Sequence, residues 1–441
     1  MILAVCMGNI MSTYAEAEEY ISDIPKFAGK NTVQDTGKML RLLAGGMGDA
    51  KIIHVAGTNG KGSVCAYLRA ILMEAGESVG MFTSPHLESM RERICIGNEM
   101  ISEEDFISVF EKVKEQAVHA EEENLNHPSY FEFLFLMAMV YFKEKNPDYI
   151  ILETGLGGRL DATNCLTPDL CVITEIGYDH MQYLGNTIEE IAAEKAGIIK
   201  PGVPVVFVDK RPESTKVLEE YAKKAKSPAV KLGKDNILNV NINNKSIDFS
   251  LHTGYYNYVS LFLNTTALYQ VENAALAVAA AEELKDERIT ADVIRKGLRA
   301  ACWPGRMEEA LPGVYLDGAH NEDGIEAFLS TVMRDGCKGK RRLLFGVVSD
   351  KQYEGMIGKI AEASLFEEAF VTLLETERSA SIDRLKNIWK QYEITCSFFE
   401  DAGKAYEQLK TKQKDGDVIY IVGSLYLIGQ MKSLIRRMQD D

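Results

Sequence analysis

The stretch HVAGTNGKGS, residues 54–63, constrains the fold more than any other part of the sequence. It follows an apolar run, and apolar residues recur at helical spacing over 64–75, which predicts a turn between a buried strand and a helix. Glycines on such a turn let backbone amides approach phosphate oxygens, and the first amides of the helix add an anion site. Lys61 would neutralise phosphate charge, and the hydroxyl of Ser63 or Thr58 is suited to Mg²⁺.

The loop departs from the general G-x-x-x-x-G-K-[ST] spacing of phosphate-binding loops. Gly62 separates Lys61 from Ser63, and Val55 occupies the position of the first glycine. The alternative is a tight turn that needs glycine only for its dihedral angles. Several glycines with a lysine and a serine before an amphipathic helix favour phosphate binding.

Length and charge limit the classes of protein that this sequence can encode. With 441 residues, the chain is long enough for two or three domains. Acidic residues outnumber basic ones by 65 to 49, so we expect no uniform basic face and no nucleic-acid partner. No apolar run reaches the roughly 20 residues that span a bilayer, so no membrane partner is predicted.

The cysteines and the N-terminal segment bear on cellular location. The eight cysteines include no C-x-x-C pair, as expected of a reduced, cytoplasmic protein. The apolar segment 1–10 has no basic flank and is not interpreted as a signal peptide. The sequence leaves open whether translation starts at Met1 or at Met11, and Ser12 or Thr13 is expected to cap the first helix.

Alternating strands and helices in the first part of the chain predict a doubly wound α/β fold. Apolar runs typical of buried parallel strands lie at 52–56, 78–83, 148–153, 169–174 and 203–208. Residues 228–263 alternate in short pieces and predict a small antiparallel patch. A strong helix over 270–284 and a second one up to Arg299 follow, and CWPGR at 302–306 ends this part.

A new alternation begins after that break. Its predicted strands lie at 314–317, 342–349, 368–374 and 417–424, with helical patterns between them. We therefore expect two domains. Residues 1–301 would form a phosphate-binding P-loop domain with a mostly parallel sheet, and residues 302–441 a smaller, Rossmann-like α/β domain.

Polar residues follow several predicted strands, at the positions where sheets of this kind bind ligands. Glu153 ends one strand just before the glycines of GLGG and is expected to ligate Mg²⁺, with a solvated strand-end carboxylate as the alternative. His180 follows another strand, although a lone histidine is more often a packed or surface residue than a ligand. Asp317 and His320 follow the first strand of the second block.

Lys195 shares an apolar helix face with Ile191 and Ile198. Burial disfavours a charged amine, so the pKa of this lysine should fall and its neutral form could react with CO₂ to give a carbamate. The alternative is an unmodified lysine paired with Glu190 or Glu194, and the residues alone favour that alternative.

The spelling GTNGKGS resembles the nucleotide loop of the Mur ligase superfamily and, within it, that of the folylpolyglutamate synthases and dihydrofolate synthases. Further segments agree in order along the chain: TSPHLESMRERI (83–94), FEF (131–133), LETGLGGRLDATN (152–164), GYDHMQYLGNTIEEIAAEKAGIIK (177–200), QVENAALA (270–277), CWPGRMEE (302–309), LDGAHNEDG (316–324) and VGSLYLIG (422–429). The resemblance covers nearly the whole chain from Met11 onward.

The resemblance implies ATP as a cofactor and identifies residues that would hold it. The loop residues in this set are Gly57, Thr58, Asn59, Gly60, Lys61, Gly62 and Ser63. Asn273 is similar to the residue that contacts adenine, and Arg306 to one that binds phosphate. Asp317 resembles the residue that holds the ribose, and His320 one that lies near the phosphates.

The resemblance also implies two Mg²⁺ ions. Ser63, Glu153 and His180 resemble the ligands of one ion. Lys195 resembles a carbamylated lysine that serves the second ion.

A folate or dihydropteroate acceptor is implied in the same way. Phe131, Asp161 and Ala162 resemble residues that contact the pterin, although Phe131 could equally be a core residue. Ser84 and Arg93 belong to a segment that resembles a mobile loop near the folate and the metal.

The expected reaction is an ATP-dependent amide ligation. A carboxylate is a poor electrophile, so the acceptor carboxylate would first attack the γ-phosphate of ATP to give an acyl phosphate and ADP. The amine of L-glutamate would then displace phosphate. Lys61, Lys195 and His180 are the predicted catalytic residues, and a monomer is expected.

Several alternatives stay open at this point. The acceptor could be a tetrahydrofolate, dihydropteroate or both. A Mur-type ligase acting on a peptidoglycan precursor has the same chemistry, although the roughly 50 residues before the loop are few for an extra domain. A nucleotide-binding module without ligase activity is another alternative. Ala267 and segment 375–381 depart from the family pattern beside the expected adenine and glutamate sites.

Overall fold

The strand before the glycine-rich loop lies inside a large sheet in the computed structural model of this chain, which describes residues 12–25, 31–120, 125–243 and 245–440. The strands of this sheet are β1 (Lys51–Ala56), β2 (Val79–Phe82), β3 (Ile94–Ile96), β4 (Glu99–Met100), β5 (Tyr149–Glu153), β6 (Leu170–Ile173), β7 (Val205–Asp209) and β8 (Ala229–Gly233). Their order is β4-β3-β2-β5-β1-β6-β7-β8. The pairs β4-β3 and β3-β2 are antiparallel, and the rest are parallel. The carboxyl ends of β5, β1 and β6 therefore lie side by side.

Helices cover both faces of this sheet. They are α1 (Tyr14–Asp23), α2 (Val33–Ala44), α3 (Lys61–Glu74), α4 (Glu103–Val118), α5 (Tyr130–Lys145), α6 (Met181–Leu184), α7 (Ile188–Ala196), α8 (Pro212–Ala225), α9 (Tyr269–Glu283) and α10 (Ala291–Ala300). One apolar cluster joins α3, α9 and α10 to the sheet, and another joins α1, α2, α4 and α5 to its opposite face. Burial on both faces explains why β1 and β5 are almost continuous apolar runs.

The antiparallel patch predicted within 228–263 is present as a separate sheet. Its strands are β9 (Ile237–Asn243), β10 (Ser246–His252) and β11 (Asn257–Leu263), in the order β11-β10-β9. Alternate residues of β10 are buried against the α3 and α9 side of the first sheet. The first strand of the predicted patch does not belong to this sheet. It forms β8, which pairs in parallel with β7 of the first sheet after the crossover through α8.

The C-terminal part builds a second, mostly parallel sheet. Its strands are β12 (Glu308–Leu311), β13 (Val314–Leu316), β14 (Arg341–Phe345), β15 (Glu368–Thr372), β16 (Thr395–Phe399) and β17 (Val418–Val422), in the order β12-β13-β17-β14-β15-β16. The helices are α11 (Glu322–Val332), α12 (Tyr353–Glu362), α13 (Ile382–Trp389), α14 (Ala402–Lys412) and α15 (Leu425–Asp440). Only the β12–β13 pairing is antiparallel among these described strands. The helices pack on both faces of this sheet through two apolar clusters, so the C-terminal part is a second layered α/β structure.

The predicted fold class is confirmed, and a few local expectations can be followed further. Thr13 caps α1 through a capping box with Glu16, as the sequence predicted for Ser12 or Thr13. The start-site question at Met1 and Met11 lies outside the described residues. Across the described ranges, no helix has both the length and the apolar character needed to cross a membrane. The domain boundary between residues 301 and 302 stays a prediction.

Candidate active site

The glycine-rich loop between β1 and α3 takes a backbone that favours glycine at two points. Gly57 has a φ of +147°, and Gly60, the N-cap of α3, has a φ of +89°. A Cβ on Gly57 would overlap Oγ1 of Thr174, and a Cβ on Gly60 would overlap Oδ1 of Asn273. These glycines are therefore needed both for the dihedral angles and for close neighbours.

Gly62, the residue that breaks the general spacing, has a packing role. A Cβ at this position would stand 2.6 Å from Cζ2 of Trp303, which belongs to the connection after α10. The indole ring therefore lies directly against the start of α3. A serine or threonine here would push the ring away, which explains the departure from the general spacing.

Two lysine amines meet at one carbonyl of this loop. Lys61 Nζ donates to the carbonyl oxygens of Gly57 and Thr58, at 3.2 Å each, and Lys195 Nζ donates to the Gly57 oxygen at 2.7 Å. Lys195 is only 3% exposed. Burial, followed by the charge of Lys61, lowers the pKa of Lys195 to about 7. The two amines make this end of the site attractive to anions.

The alternative weighed for Lys195, a pairing with a carboxylate of its own helix, is not formed in the structure. Glu190 accepts hydrogen bonds from two backbone amides at the start of α7. Glu194 forms an ion pair with Arg159 at 2.8 Å. The Lys195 amine instead contacts the glycine-rich loop, so burial rather than a nearby carboxylate sets its pKa.

Glu153 ends β5 beside this loop and is buried. Its Oε2 accepts a hydrogen bond from the Ser84 amide at 3.0 Å. Burial raises the pKa of Glu153, and the charge of Lys61 opposes that rise. The carboxylate therefore lies within electrostatic reach of the lysine expected to bind phosphate.

The structure distinguishes the two hydroxyls proposed for Mg²⁺. The Thr58 hydroxyl donates to the Gly177 oxygen at 3.1 Å and accepts from the Gly177 amide at 3.0 Å, so it anchors the loop after β6. Ser63 Oγ accepts a hydrogen bond from Gln270 Nε2 at 3.1 Å. Each hydroxyl oxygen has two lone pairs and keeps one, but the Thr58 hydroxyl is held by the Gly177 backbone on both its donor and its acceptor side. Ser63 is therefore the better candidate for a ligand to Mg²⁺.

A polar network joins the two sheets across the site. Lys351 Nζ donates to Oδ1 of Asp179 at 2.6 Å, and Asn321 Nδ2 donates to its Oδ2 at 3.2 Å. Asn321 also exchanges hydrogen bonds with the Asn59 side chain, at 3.0 and 3.3 Å. Burial would raise the pKa of Asp179, but Lys351 and two neighbouring histidines hold it well below its usual range.

Those histidines are His180 and His320. His180 has a φ of +50° at the start of α6, and its Nε2 lies 3.4 Å from Lys351 Nζ. Burial and the Lys351 charge lower the pKa of His180 to about 4. His320 Nδ1 donates to the Gly318 carbonyl at 2.8 Å, and the same two causes lower its pKa to about 3. Both imidazoles are therefore neutral near pH 7, the form in which histidine binds metals.

The residues expected to hold the nucleoside lie on α9 and in the C-terminal part of the chain. Asn273 Nδ2 donates to Gln270 Oε1 at 3.0 Å. Asp317 accepts hydrogen bonds from the Tyr269 hydroxyl at 2.5 Å and from two backbone amides, and burial raises its pKa. A ribose hydroxyl would therefore share this carboxylate with Tyr269. Arg306 Nη1 donates to the Gly305 carbonyl at 2.9 Å.

The glycines after β5 form a turn that Asp161 holds in place. One carboxylate oxygen accepts from the amides of Gly155 and Leu156, at 3.0 and 2.9 Å. The other accepts from the amide and hydroxyl of Thr163, at 3.1 and 2.5 Å. With both oxygens engaged, Asp161 shapes the wall next to Ala162, and its contact with a pterin stays a prediction.

Aromatic rings line the cavity beside this turn, since a Cβ on Gly155 would stand 2.7 Å from Cε2 of Phe131. Phe131 packs against Phe82 with ring centroids 5.5 Å apart, and it is partly exposed to the site. The Arg93 guanidinium lies over the Tyr130 ring, 5.5 Å from its centroid, and its Nε donates to His86 Nδ1 at 2.9 Å. Burial lowers the pKa of Arg93. A flat ring system with a carboxylate would find both stacking and a cation here.

A single cavity of about 740 Å³ is lined by all of the residues proposed from the sequence. They are Gly57, Thr58, Asn59, Gly60, Lys61, Gly62, Ser63, Ser84, Arg93, Phe131, Glu153, Asp161, Ala162, His180, Lys195, Asn273, Arg306, Asp317 and His320. The cavity draws its walls from both sheets. Its size lies within the range of small-molecule binding sites in proteins.

Sequence reasoning missed several residues that line this cavity. It also missed Lys351, which does not line the cavity but contacts Asp179 in its wall. Asp179 was seen only as a neighbour of His180, while Lys351, Tyr269 and Tyr130 were not considered. Lys351 follows β14 at the carboxyl end of a parallel strand, so the strand-end rule could have identified it. Nothing in the sequence indicates that Lys351 reaches Asp179, 172 positions away.

Comparisons with known proteins agree with this geometry. The profile of the Mur ligase middle domain matches residues 55–281, and that of the Mur ligase glutamate ligase domain matches residues 305–425. The chain is 35% identical to the dihydrofolate synthase/folylpolyglutamate synthase of Bacillus subtilis, over 97% of this chain and 100% of that protein. The chain belongs to the dihydrofolate synthase/folylpolyglutamate synthase family.

Solved structures of this family have the same fold. Mycobacterium tuberculosis folylpolyglutamate synthase complexed with ADP superposes with a TM-score of 0.87, at 26% identity over 96% of this chain and 98% of that one. Escherichia coli FolC in complex with DHPP and ADP gives a TM-score of 0.84, at 27% identity over 97% of this chain and 99% of that one. The predictions of an ATP-dependent, ADP-forming ligase are confirmed by this membership.

Proposed function

We propose that this ligase joins L-glutamate to a folate, and to dihydropteroate as a second acceptor, through an acyl phosphate. The observation that carries the proposal is the single cavity, which is lined by the glycine-rich loop, Glu153, Phe131 and Arg93 together. The Bacillus subtilis relative is named for both activities, and the Escherichia coli relative binds ADP and DHPP together. The match to a glutamate ligase domain supports L-glutamate as the amine donor.

Side chains of this protein would first stabilise the negative charge of the phosphates. Lys61 would leave the loop carbonyls for the phosphates of ATP and stabilise the charge that develops as the acceptor carboxylate attacks the γ-phosphorus. Arg306 would bind phosphate from the C-terminal side. An acyl phosphate hydrolyses in water, so enclosure between the two sheets would protect it until the amine attacks.

The donor set fits Mg²⁺ at the phosphate end. Ser63 offers a hydroxyl, Glu153 an oxygen beside the one held by Ser84, and His180 a neutral imidazole. In the described part of the chain, no three His, Cys, Asp or Glu side chains group closely enough to hold a metal by themselves. Mg²⁺ usually keeps water and phosphate oxygens among its ligands, and it would neutralise phosphate charge here.

Carbamylation of Lys195 is part of the proposal and would provide a ligand for a second Mg²⁺. A pKa of about 7 leaves a large neutral fraction at physiological pH, and only the neutral amine attacks CO₂. Incubation with ¹³C-bicarbonate should give a carbamate carbon resonance in the wild-type protein and none in Lys195→Met. A wild-type spectrum identical to that of the variant would remove carbamylation from the mechanism.

A cytoplasmic monomer completes the proposal. All of the proposed site residues come from one chain, so a second copy is not needed to complete the cavity. The seven described cysteines are free thiols, as expected in a reducing compartment. Light scattering at enzyme concentrations and cell fractionation test these two points.

ADP release measured in parallel on two acceptors tests the function directly. The reaction should need L-glutamate and either tetrahydrofolate or dihydropteroate, with Mg²⁺ and ATP present. Activity with only one acceptor would restrict the proposal to that acceptor. ADP release that needs neither acceptor nor glutamate would contradict it.

A further inference from the structure

A loop of the first sheet is anchored in the C-terminal helix. Residues 84–93 connect β2 to β3, and both ends of this 84–93 loop line the cavity, through Ser84 and Arg93. Its middle points the other way, toward α15. The loop is thus one part of the cavity wall that touches both halves of the molecule.

The first anchor is a close backbone contact. A Cβ on Gly429 of α15 would stand 2.8 Å from the carbonyl carbon of Leu87 and would overlap its oxygen. The Leu87 side chain packs against the apolar cluster that contains Ile428 and Met431. Gly305, just after the break between the two parts, also lies against Leu87, because a Cβ on this glycine would stand 3.4 Å from Leu87 Cδ1. Small residues therefore let the loop approach the helix.

The second anchor is electrostatic. Arg436 Nη2 donates to both carboxylate oxygens of Glu88, at 2.6 and 2.8 Å, and Ser433 Oγ donates to one of them at 2.7 Å. The Glu88 side chain is 17% exposed, so it is more shielded from water than most surface carboxylates. A carboxylate held by three hydrogen bonds has a defined position.

The loop transmits this position to the site because it is internally rigid. The Glu92 carboxylate accepts hydrogen bonds from the amides of Leu87, Glu88 and Ser89, at 2.8, 2.8 and 2.7 Å. At the start of the loop, the Ser84 amide donates to Glu153. A movement of the anchored middle would therefore move groups at both ends.

We propose that these anchors form a clasp that positions the 84–93 loop for acceptor binding. The clasp consists of Leu87, Glu88, Gly429, Ser433 and Arg436. Its members are positioning residues, because they contact neither the cavity nor the glycine-rich loop. When the clasp is closed, the orientation of Ser84 and Arg93 depends on how the C-terminal part is docked, so acceptor binding is coupled to the arrangement of the two parts. This inference rests on the proposed acceptor chemistry.

Two sets of variants test the clasp in the full-length protein. Arg436→Glu opposes Glu88, and the double variant Glu88→Lys with Arg436→Glu reverses the pair. Gly429→Ala disturbs the backbone contact, and Gly403→Ala in α14 is its control, because the nearest neighbour of a Cβ there is a side-chain oxygen at 3.2 Å.

We expect Arg436→Glu and Gly429→Ala to lower kcat/KM for the acceptor by about tenfold. Misplacement of a substrate-positioning group by about 1 Å can lower the reaction rate by up to ~100-fold. The Kd for ADP should stay within about twofold, because the glycine-rich loop is not part of the clasp. The reversed pair should recover most of the loss, and Gly403→Ala should match the wild type. Amides of residues 84–93 should exchange hydrogen faster in Arg436→Glu than in the wild type.

Two results would overturn the clasp. One is an unchanged acceptor kcat/KM and unchanged exchange in both Arg436→Glu and Gly429→Ala. The other is a loss that the reversed pair does not recover and that reduces ADP affinity in parallel. If the wild-type protein shows no acceptor-dependent turnover, the proposed function fails, and the exchange measurement still decides whether the clasp holds the loop.

Discussion

Replacement of Gly60 with alanine should weaken nucleotide binding. A matched control variant separates this effect from the effect of backbone strain. In Gly60→Ala, the new Cβ would overlap Oδ1 of Asn273 and stand 3.1 Å from its Cγ. The side chain would have to rotate away and give up its hydrogen bond to Gln270. A φ of +89° adds strain of roughly 1–2 kcal/mol for a residue with a Cβ.

Gly76→Ala supplies the control, because Gly76 lies just beyond the other end of α3. Its φ is +86°, and no atom lies within 4 Å of a Cβ placed there. Both variants should therefore lose roughly 1–2 kcal/mol of unfolding free energy from strain. Only Gly60→Ala displaces Asn273. The lost hydrogen bond to Gln270 should cost a further ~1 kcal/mol of unfolding free energy. Displacement of the side chain expected to contact adenine should weaken ADP binding by about tenfold or more.

Isothermal titration with ADP and Mg²⁺, together with denaturant unfolding of both variants, measures the two effects. The expected result is a loss of stability in both variants, larger by about 1 kcal/mol in Gly60→Ala, and a weaker Kd for ADP in Gly60→Ala alone. Equal ADP affinity in the two variants would refute the placement of the nucleoside between the glycine-rich loop and α9.

Further predictions concern charge at the site and away from it. Lys61→Ala should abolish ADP-forming turnover while the circular dichroism spectrum is retained; normal turnover would remove Lys61 from phosphate binding. Asp161→Asn removes one acceptor from a turn of four hydrogen bonds and should cost about 1–3 kcal/mol of unfolding free energy, measured by urea denaturation. Arg342→Met leaves the buried Asp417 without its cation and Glu368 with Lys412 alone, so a loss of about 3–5 kcal/mol of unfolding free energy is expected, with unchanged ADP affinity of the folded protein. The Lys340 amide and then Arg342 lower the pKa of Asp417 to about 2. The stability that this carboxylate contributes should therefore be lost as pH falls from about 4 toward 2. Calorimetry at successive pH values would locate this transition.

The sequence predicted the parts of the fold that repeat a simple period. β1 and β5 are buried on both faces, so their apolar runs are continuous and were identified within a residue or two. β12 and β16 were missed because they are only partly buried and carry polar residues such as Glu309. β8 was assigned to the antiparallel patch because the residues of an exposed edge strand do not distinguish the two partners.

The site residues divide in the same way, into positions that the local sequence predicts and contacts that depend on residues far apart in the chain. The positions of Glu153 and His180 follow from strand ends, and the structure brings them to one cavity with the loop. The contact of Lys195 with Gly57 and the ion pair of Lys351 with Asp179 depend on tertiary packing, so no local pattern could predict them. Resemblance to a family identified residues that spacing alone did not.

The most direct test of the account follows an oxygen atom. If the acceptor carboxylate attacks ATP, an acceptor labelled with ¹⁸O in that carboxylate should transfer one ¹⁸O to each phosphate released during a single turnover with L-glutamate. Mass spectrometry of the phosphate would detect this transfer. Phosphate that carries no label, released together with the amide product, would contradict the acyl phosphate and the central claim of this account.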